Sequence, residues 1–256
     1  MVYAYVQKPI QSIIFILIRT NMGTKLAVVS GGTRGIGRAI VEEFAKNGFD
    51  IVVSARKEND LNEIKAFIEK RFSVKCLIYS ADLSAKKQVK GFIDFILSFN
   101  RPVDILVNNA GNFLPGQIHN EEDGVLENLI ETNLYSAYYL TRGLIALMME
   151  HKSGHIFNMC SVASLKAYPN GGSYSISKFA LLGFSKVLRE EMKDSGIKVT
   201  SIIPGAVLTD SWAGVEIPEE RFMKPEDVAK TIWIAYSLSD SAVIEEIVMR
   251  PQQGDI

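Results

Sequence analysis

Leu26-Ala27-Val28-Val29-Ser30-Gly31-Gly32-Thr33-Arg34-Gly35-Ile36-Gly37 places three local signals in a row. Leu26–Val29 is a short apolar run, as expected of a strand buried on both faces. The glycine-rich turn that follows lets backbone N–H groups approach a pyrophosphate closely. A helical pattern then runs from Ile36 to Asn47, with Gly48 placed to cap its C-terminus, and a helix N-terminus favours an anion. A glycine-rich loop alone could be a mere turn. Strand, loop and helix together make it a dinucleotide-binding pattern. Gly31, Gly35 and Gly37 are its framework, and Thr33, Arg34 and Ile36 are the expected contacts between them.

Outward from this unit the same alternation repeats. Apolar or β-branched runs fall at Asp50–Ser54, Val74–Tyr79, Val103–Val107, Gly154–Cys160, Ile197–Ile203 and Val243–Val248. Helical patterns separate them: Glu58–Phe72, Ser84–Phe99 with Ser84 as N-cap, Val125–Glu150, Ser173–Asp194 and Pro225–Leu238. Repeated βα units imply a parallel sheet covered on both faces. The expected fold is therefore α/β, a single doubly wound (Rossmann) parallel sheet of about seven strands with helices on both faces. No linker rich in Pro, Gly or Ser divides residues 22–256. Residues 1–21 read as an N-terminal appendage: an over-extended start with Met22 as the functional initiator, or else a real extension that packs on the surface or anchors to a membrane face. Their apolar run, Ile13–Ile18, is far shorter than the ~20 residues that span a bilayer.

Charge excludes some functions. The 256 residues carry 28 Lys+Arg against 29 Asp+Glu, a net charge of −1, which argues against a nucleic-acid binder driven by a positive field. Cys76 and Cys160 form neither a disulfide framework nor a metal-ligand spacing, so both read as reduced thiols of a cytoplasmic protein. His119, His151 and His155 share no element and read as surface or loop residues rather than a metal site.

The second strand runs into Ala55-Arg56-Lys57, without the acid that binds the ribose hydroxyls in an NAD-type site. Arg34 and Arg56 would suit an extra 2′-phosphate, because a guanidinium offers a bidentate fork. The cofactor expected is NADP(H).

Ser161 and the run Ser173-Tyr174-Ser175-Ile176-Ser177-Lys178 carry the chemistry. Tyr174 and Lys178 share a helix face at i, i+4. A free tyrosine titrates near ~10, and an adjacent ammonium would bring it toward the working range. Ser161, at a strand end, could bond a substrate oxygen.

With these motifs in this order, the chain resembles the short-chain dehydrogenase/reductase family over residues 22–256. Ser30 stands where threonine is usual beside the glycine loop, and Asp82-Leu83 resembles the adenine-side motif. Asn108-Asn109-Ala110-Gly111 matches the Asn-Asn-Ala-Gly motif. Pro204-Gly205, with Val207 and Thr209, matches the nicotinamide-side motif. The resemblance implies a catalytic set of Asn133, Ser161, Tyr174 and Lys178. It makes Tyr174 the proton donor to a carbonyl reduced by NADPH. It has Lys178 bind the ribose hydroxyls and keep Tyr174 acidic, and Asn133 position Lys178 through a water. It further implies a homodimer or homotetramer through the two long helices, where Phe179, Leu182, Phe184 and Val187 offer apolar surface.

The substrate is expected to be a small or moderately apolar ketone or aldehyde. Leu208 and Trp212 could form a lid with Phe113, Leu114 and Tyr168. The pattern resembles 3-oxoacyl-[acyl-carrier-protein] reductases, which show basic residues beside the pocket for their acidic carrier; Lys152 is present, but Ser195 stands before Gly196 where a basic residue is often found. Sepiapterin-type reduction is a further alternative. A non-catalytic NADP-binding regulatory protein is the alternative from another class.

Overall fold

The computed structural model describes residues 24–212 and 214–256, so the expected appendage, residues 1–21, lies outside the described residues. Seven parallel strands form one sheet: β1 (Leu26–Ser30), β2 (Asp50–Ala55), β3 (Cys76–Ser80), β4 (Ile105–Asn108), β5 (Gly154–Met159), β6 (Ile197–Pro204) and β7 (Glu246–Met249). Their order is β3-β2-β1-β4-β5-β6-β7. The order reverses between β1 and β4, which pair in register at Val29 and Val107. In such sheets the crevice at the carboxyl ends beside this switch point binds ligands. The strand bounds agree with the apolar runs to within two or three residues.

The helices are α1 (Gly35–Lys46), α2 (Glu58–Phe72), α3 (Lys86–Leu97), α4 (Val125–Ile130), α5 (Ser136–His151), α6 (Gly172–Met192) and α7 (Pro225–Ser237). Successive residues of β1 serve opposite faces, as a period of two requires. Ala27 and Val29 join one core with Ile40 and Phe44 of α1, while Leu26 and Val28 join the other with Phe92 of α3 and Leu140 of α5. Phe44 and Phe49 pack edge-on against Trp233 and Tyr236, which fixes α7 over α1.

Four sequence expectations change. The pattern Val125–Glu150 is not one α-helix: a π-turn, Glu131–Tyr135, separates α4 from α5 and carries Asn133. Ser84 does not cap α3, because its hydroxyl and N–H both bond Asp82 Oδ1, and α3 begins at Lys86 after Ala85. His155 is not a surface residue but is buried in β5, with Nε2 2.7 Å from Thr200 Oγ1. Burial pushes its imidazole down to about 3, so it is neutral. Of the apolar surface expected on α6, Leu182 is buried and Phe184 packs into the core, whereas Phe179 and Val187 stay exposed.

Candidate active site

A cleft of about 1180 Å³ opens at the carboxyl ends of β1, β2, β4, β5 and β6. Three glycines make its floor at α1. A Cβ on Gly37 would collide with the Gly31 carbonyl oxygen, so no side chain is tolerated where this helix begins. The loop is tied to the neighbouring strand. Ser30 Oγ donates to Val107 O (3.2 Å) and accepts from the N–H groups of Asn109 and Ala110 (3.0 Å each). Asn109 Nδ2 donates to the carbonyls of Ser30 (3.0 Å) and Gly31 (2.9 Å). The serine in place of threonine thus keeps the hydroxyl that joins β1 to β4.

The cleft is lined by Gly31, Thr33, Arg34, Gly35, Ile36, Gly37, Arg56, Asp82, Leu83, Asn109, Ala110 and Gly111 on the side expected to hold a dinucleotide. Pro204, Gly205, Val207, Thr209, Ser161, Tyr174 and Lys178 line it as well, with Thr209 close to Gly35 and Lys178 close to Gly111. Asn133 does not line it. It is buried, its Oδ1 accepting from Asn112 N–H (2.7 Å) and its Nδ2 donating to Asn112 O (3.0 Å) and Ser177 Oγ (2.9 Å). Asn133 therefore braces the segment after β4 against α6 and makes no direct bond to Lys178.

Tyr174 and Lys178 sit on one face of α6, with Lys178 Nζ 5.8 Å from the Tyr174 ring centroid. The ammonium donates to Met159 O (2.8 Å), at the end of β5. Burial without an acidic partner pushes Lys178 down to about 8. Burial pushes the Tyr174 phenol up to about 12, opposed by the Ser161 hydroxyl beside it. This reverses the direction expected from sequence. In the free protein desolvation outweighs any help from Lys178, and at neutral pH the phenol holds its proton. Ser161 is fixed by its own turn, where its Oγ accepts from Ala163 N–H (3.1 Å) and its N–H donates to Ser164 Oγ (3.2 Å). Cys160 next to it is buried and is pushed up to about 11, mainly by that burial, so it remains a thiol.

The end expected to hold adenosine carries an acid that the β2 sequence does not place there. Arg34 pairs with Asp60 in the first turn of α2 (2.7 Å) and with Asp210 across the cleft (3.3 Å). Among the described residues neither Arg56 nor Lys57 is in an ion pair, and both are exposed at the cleft. Of the expected lid, Phe113, Tyr168 and Trp212 line the cleft, but Leu114 and Leu208 do not. Phe113 packs edge-on against Tyr174, with centroids 4.8 Å apart. Lys166, Arg250 and Asp255 also reach this end, and none of them was expected from sequence. Lys152 and Ser195 precede β5 and β6, at the opposite edge of the sheet, and cannot flank the cleft.

Among the described residues no group of His, Cys, Asp and Glu could hold a metal ion, and no helix is long and apolar enough to cross a membrane. The sequence matches the family model for short chain dehydrogenase over residues 25–220.

The chain belongs to the short-chain dehydrogenase family.

It is 34% identical over 239 residues to a sepiapterin reductase of Chlorobaculum tepidum, covering 90% of this chain and 98% of that protein. A 3-oxoacyl-[acyl-carrier-protein] reductase of Haemophilus influenzae is 31% identical over 231 residues, covering 86% of this chain and 93% of that one. Among solved structures, L-sorbose reductase from Gluconobacter frateurii, complexed with NADPH and L-sorbose, superposes with a TM-score of 0.83 at 28% identity. It covers 89% of this chain and 95% of that one. This short-chain dehydrogenase has the doubly wound sheet expected from its sequence.

Proposed function

We propose that the protein transfers hydride between NADPH and a carbonyl compound, ketone or aldehyde to alcohol, with Tyr174 as proton donor. The observation that carries this reading is a protonated, half-buried phenol facing the cleft one helical turn from a buried ammonium, with Ser161 beside it. Bound in the cleft, NADPH supplies the hydride. The chain's own groups then do the rest. The glycine loop and the α1 N-terminus suit the pyrophosphate. Arg56, with Lys57 and Arg34, suits a 2′-phosphate. Asp82 and Leu83 would border the adenine. Lys178, with Asn109, Ala110 and Gly111 close by, would hold the nicotinamide ribose, and Pro204, Gly205, Val207 and Thr209 would flank the nicotinamide amide. Ser161 holds the substrate oxygen, and Tyr174 gives it a proton as alkoxide character develops.

A second reading narrows the substrate to a flat heteroaromatic ketone such as a pterin side chain. It is favoured by the match to sepiapterin reductase and by a cleft mouth walled by Phe113, Tyr168 and Trp212. Assembly through α5 and α6 is supported by the exposed Tyr138, Ile176, Phe179 and Val187; a monomer in sedimentation would contradict it. Cys76 and Cys160, both buried and unpaired, suit a reducing cytoplasm.

The test is loss of NADPH absorbance with a panel of aliphatic ketones, aldehydes, aromatic diketones, 3-oxoacyl thioesters and pterin ketones. The reading expects turnover of at least one class. Tight NADPH binding with no turnover on any class would favour a non-catalytic sensor.

A further inference from the structure

The helix that carries Tyr174 has no N-terminal cap of its own. α6 follows Gly171, which offers no side chain to the free N–H groups of the first turn. The cap comes from another segment. Glu121, 52 residues earlier in the chain, accepts from Ser173 N–H through Oε1 (2.9 Å) and from the Ser173 hydroxyl through Oε2. These bonds hold its carboxyl below the ordinary carboxylate range. The backbone is shaped around it, since Gly172 has φ +32° and a Cβ there would collide with Glu121 Oε1.

The segment bearing Glu121 is fastened along its length. Asn112 is held by Asn133. Gly116 N–H donates to Asn170 O (3.0 Å), and Gln117 Nε2 donates to Asn170 Oδ1 (2.9 Å). Between these fasteners Phe113 meets the ring of Tyr174. Ser173, the residue Glu121 holds, is the chain neighbour of Tyr174. One strap thus touches the phenol directly and the helical turn that bears it.

We propose that Glu121 is a positioning residue: by capping α6 from the segment after β4, it fixes Tyr174 between Phe113 and Ser161 in the geometry for proton transfer. This rests on the reading of Tyr174 as proton donor. Without the carboxylate the first turn of α6 loses the partner of its Ser173 N–H and is free to fray, and Tyr174 moves with it. Glu121 itself does not line the cleft, so cofactor binding does not depend on it.

The experiment compares Glu121→Ala, Glu121→Gln and Tyr174→Phe in the full chain. It uses the best carbonyl of the panel for kcat and KM and NADPH fluorescence titration for Kd. For Glu121→Ala kcat falls about tenfold, the scale on which small misplacements act, while carbonyl KM and NADPH Kd stay within about twofold. Glu121→Gln, which keeps an acceptor for Ser173 N–H, recovers most of that loss. Wild-type kcat in Glu121→Ala overturns the proposal, and so does a parallel loss of kcat and NADPH affinity, which marks general loosening. If Glu121→Ala does not fold, Ser173→Ala is read instead. A kcat lowered about threefold at unchanged Kd supports the proposal, and an unchanged kcat overturns it. Turnover retained in Tyr174→Phe would sink the functional reading. An inactive Tyr174→Phe beside a fully active Glu121→Ala would sink only the role of Glu121.

Discussion

Replacing Lys178 by methionine should make the protein more stable and inactive at once. The ammonium is buried with a single carbonyl partner, and its pKa falls from 10.5 to about 8. A group whose charged form is disfavoured in the fold binds fewer protons there than in the unfolded chain. Its penalty is therefore full below about pH 8, shrinks as pH rises, and is gone above the unfolded value of 10.5. At about 1.4 kcal/mol per unit the shift corresponds to a penalty of about 3 kcal/mol. Methionine fills a similar volume without the charge but gives up the bond to Met159 O, worth ~1 kcal/mol. Lys178→Met should thus gain about 2 kcal/mol at pH 7, or about 5 °C in Tm for a chain of this size. Urea unfolding of both cofactor-free proteins at pH 7 and pH 10.5 reads this directly. The gain should be present at pH 7 and absent at pH 10.5. A gain of the same size at both pH values, or none at pH 7, would refute the argument that an unpaired buried charge is kept for function at the expense of stability.

Two further outcomes follow from the same site. Arg56→Ala removes the charged partner proposed for the 2′-phosphate, typically worth about 2 kcal/mol, so the NADPH-to-NADH efficiency ratio should drop at least about tenfold; an unchanged ratio would leave Arg56 with no part in cofactor choice. The alkaline limb of kcat/KM for carbonyl reduction should appear near pH 8, where Lys178 loses its charge, and not near 12, where Tyr174 ionises. A profile flat to pH 10 would separate Lys178's charge from the reaction.

Much of this was readable from the chain because it depends on local signals. The strands are apolar runs, the glycine loop sits between a strand and a helix, and Tyr174 and Lys178 are spaced for one helix face. What was missed depends on tertiary packing. Asn133 lies in a π-turn, which the apolar pattern does not distinguish from continuous α-helix. The shift of Tyr174 depends on how dry its surroundings are, and sequence spacing reports only that Lys178 is near. Asp60 reaches Arg34 from the first turn of α2, beyond the strand end where the acid of an NAD-type site stands. Arg250 and Asp255 reach the cleft from beyond β7, far from the motifs. Glu121 is an ordinary acid in a loop until the fold lays it against Ser173. Lys152 and Ser195 stand apart from the cleft for a reason that the sequence itself carries. Residues that precede parallel strands lie at the edge of the sheet away from the ligand crevice.

The most direct measurement of the central claim is turnover and NADPH binding in Tyr174→Phe, made with the best carbonyl of the panel. The substitution removes one oxygen from a half-buried ring and leaves the glycine loop, Arg56 and Lys178 untouched. A loss in kcat of about 10²- to 10⁴-fold is expected, the contribution of a positioned general acid, with NADPH Kd nearly unchanged. Turnover close to wild type would contradict it.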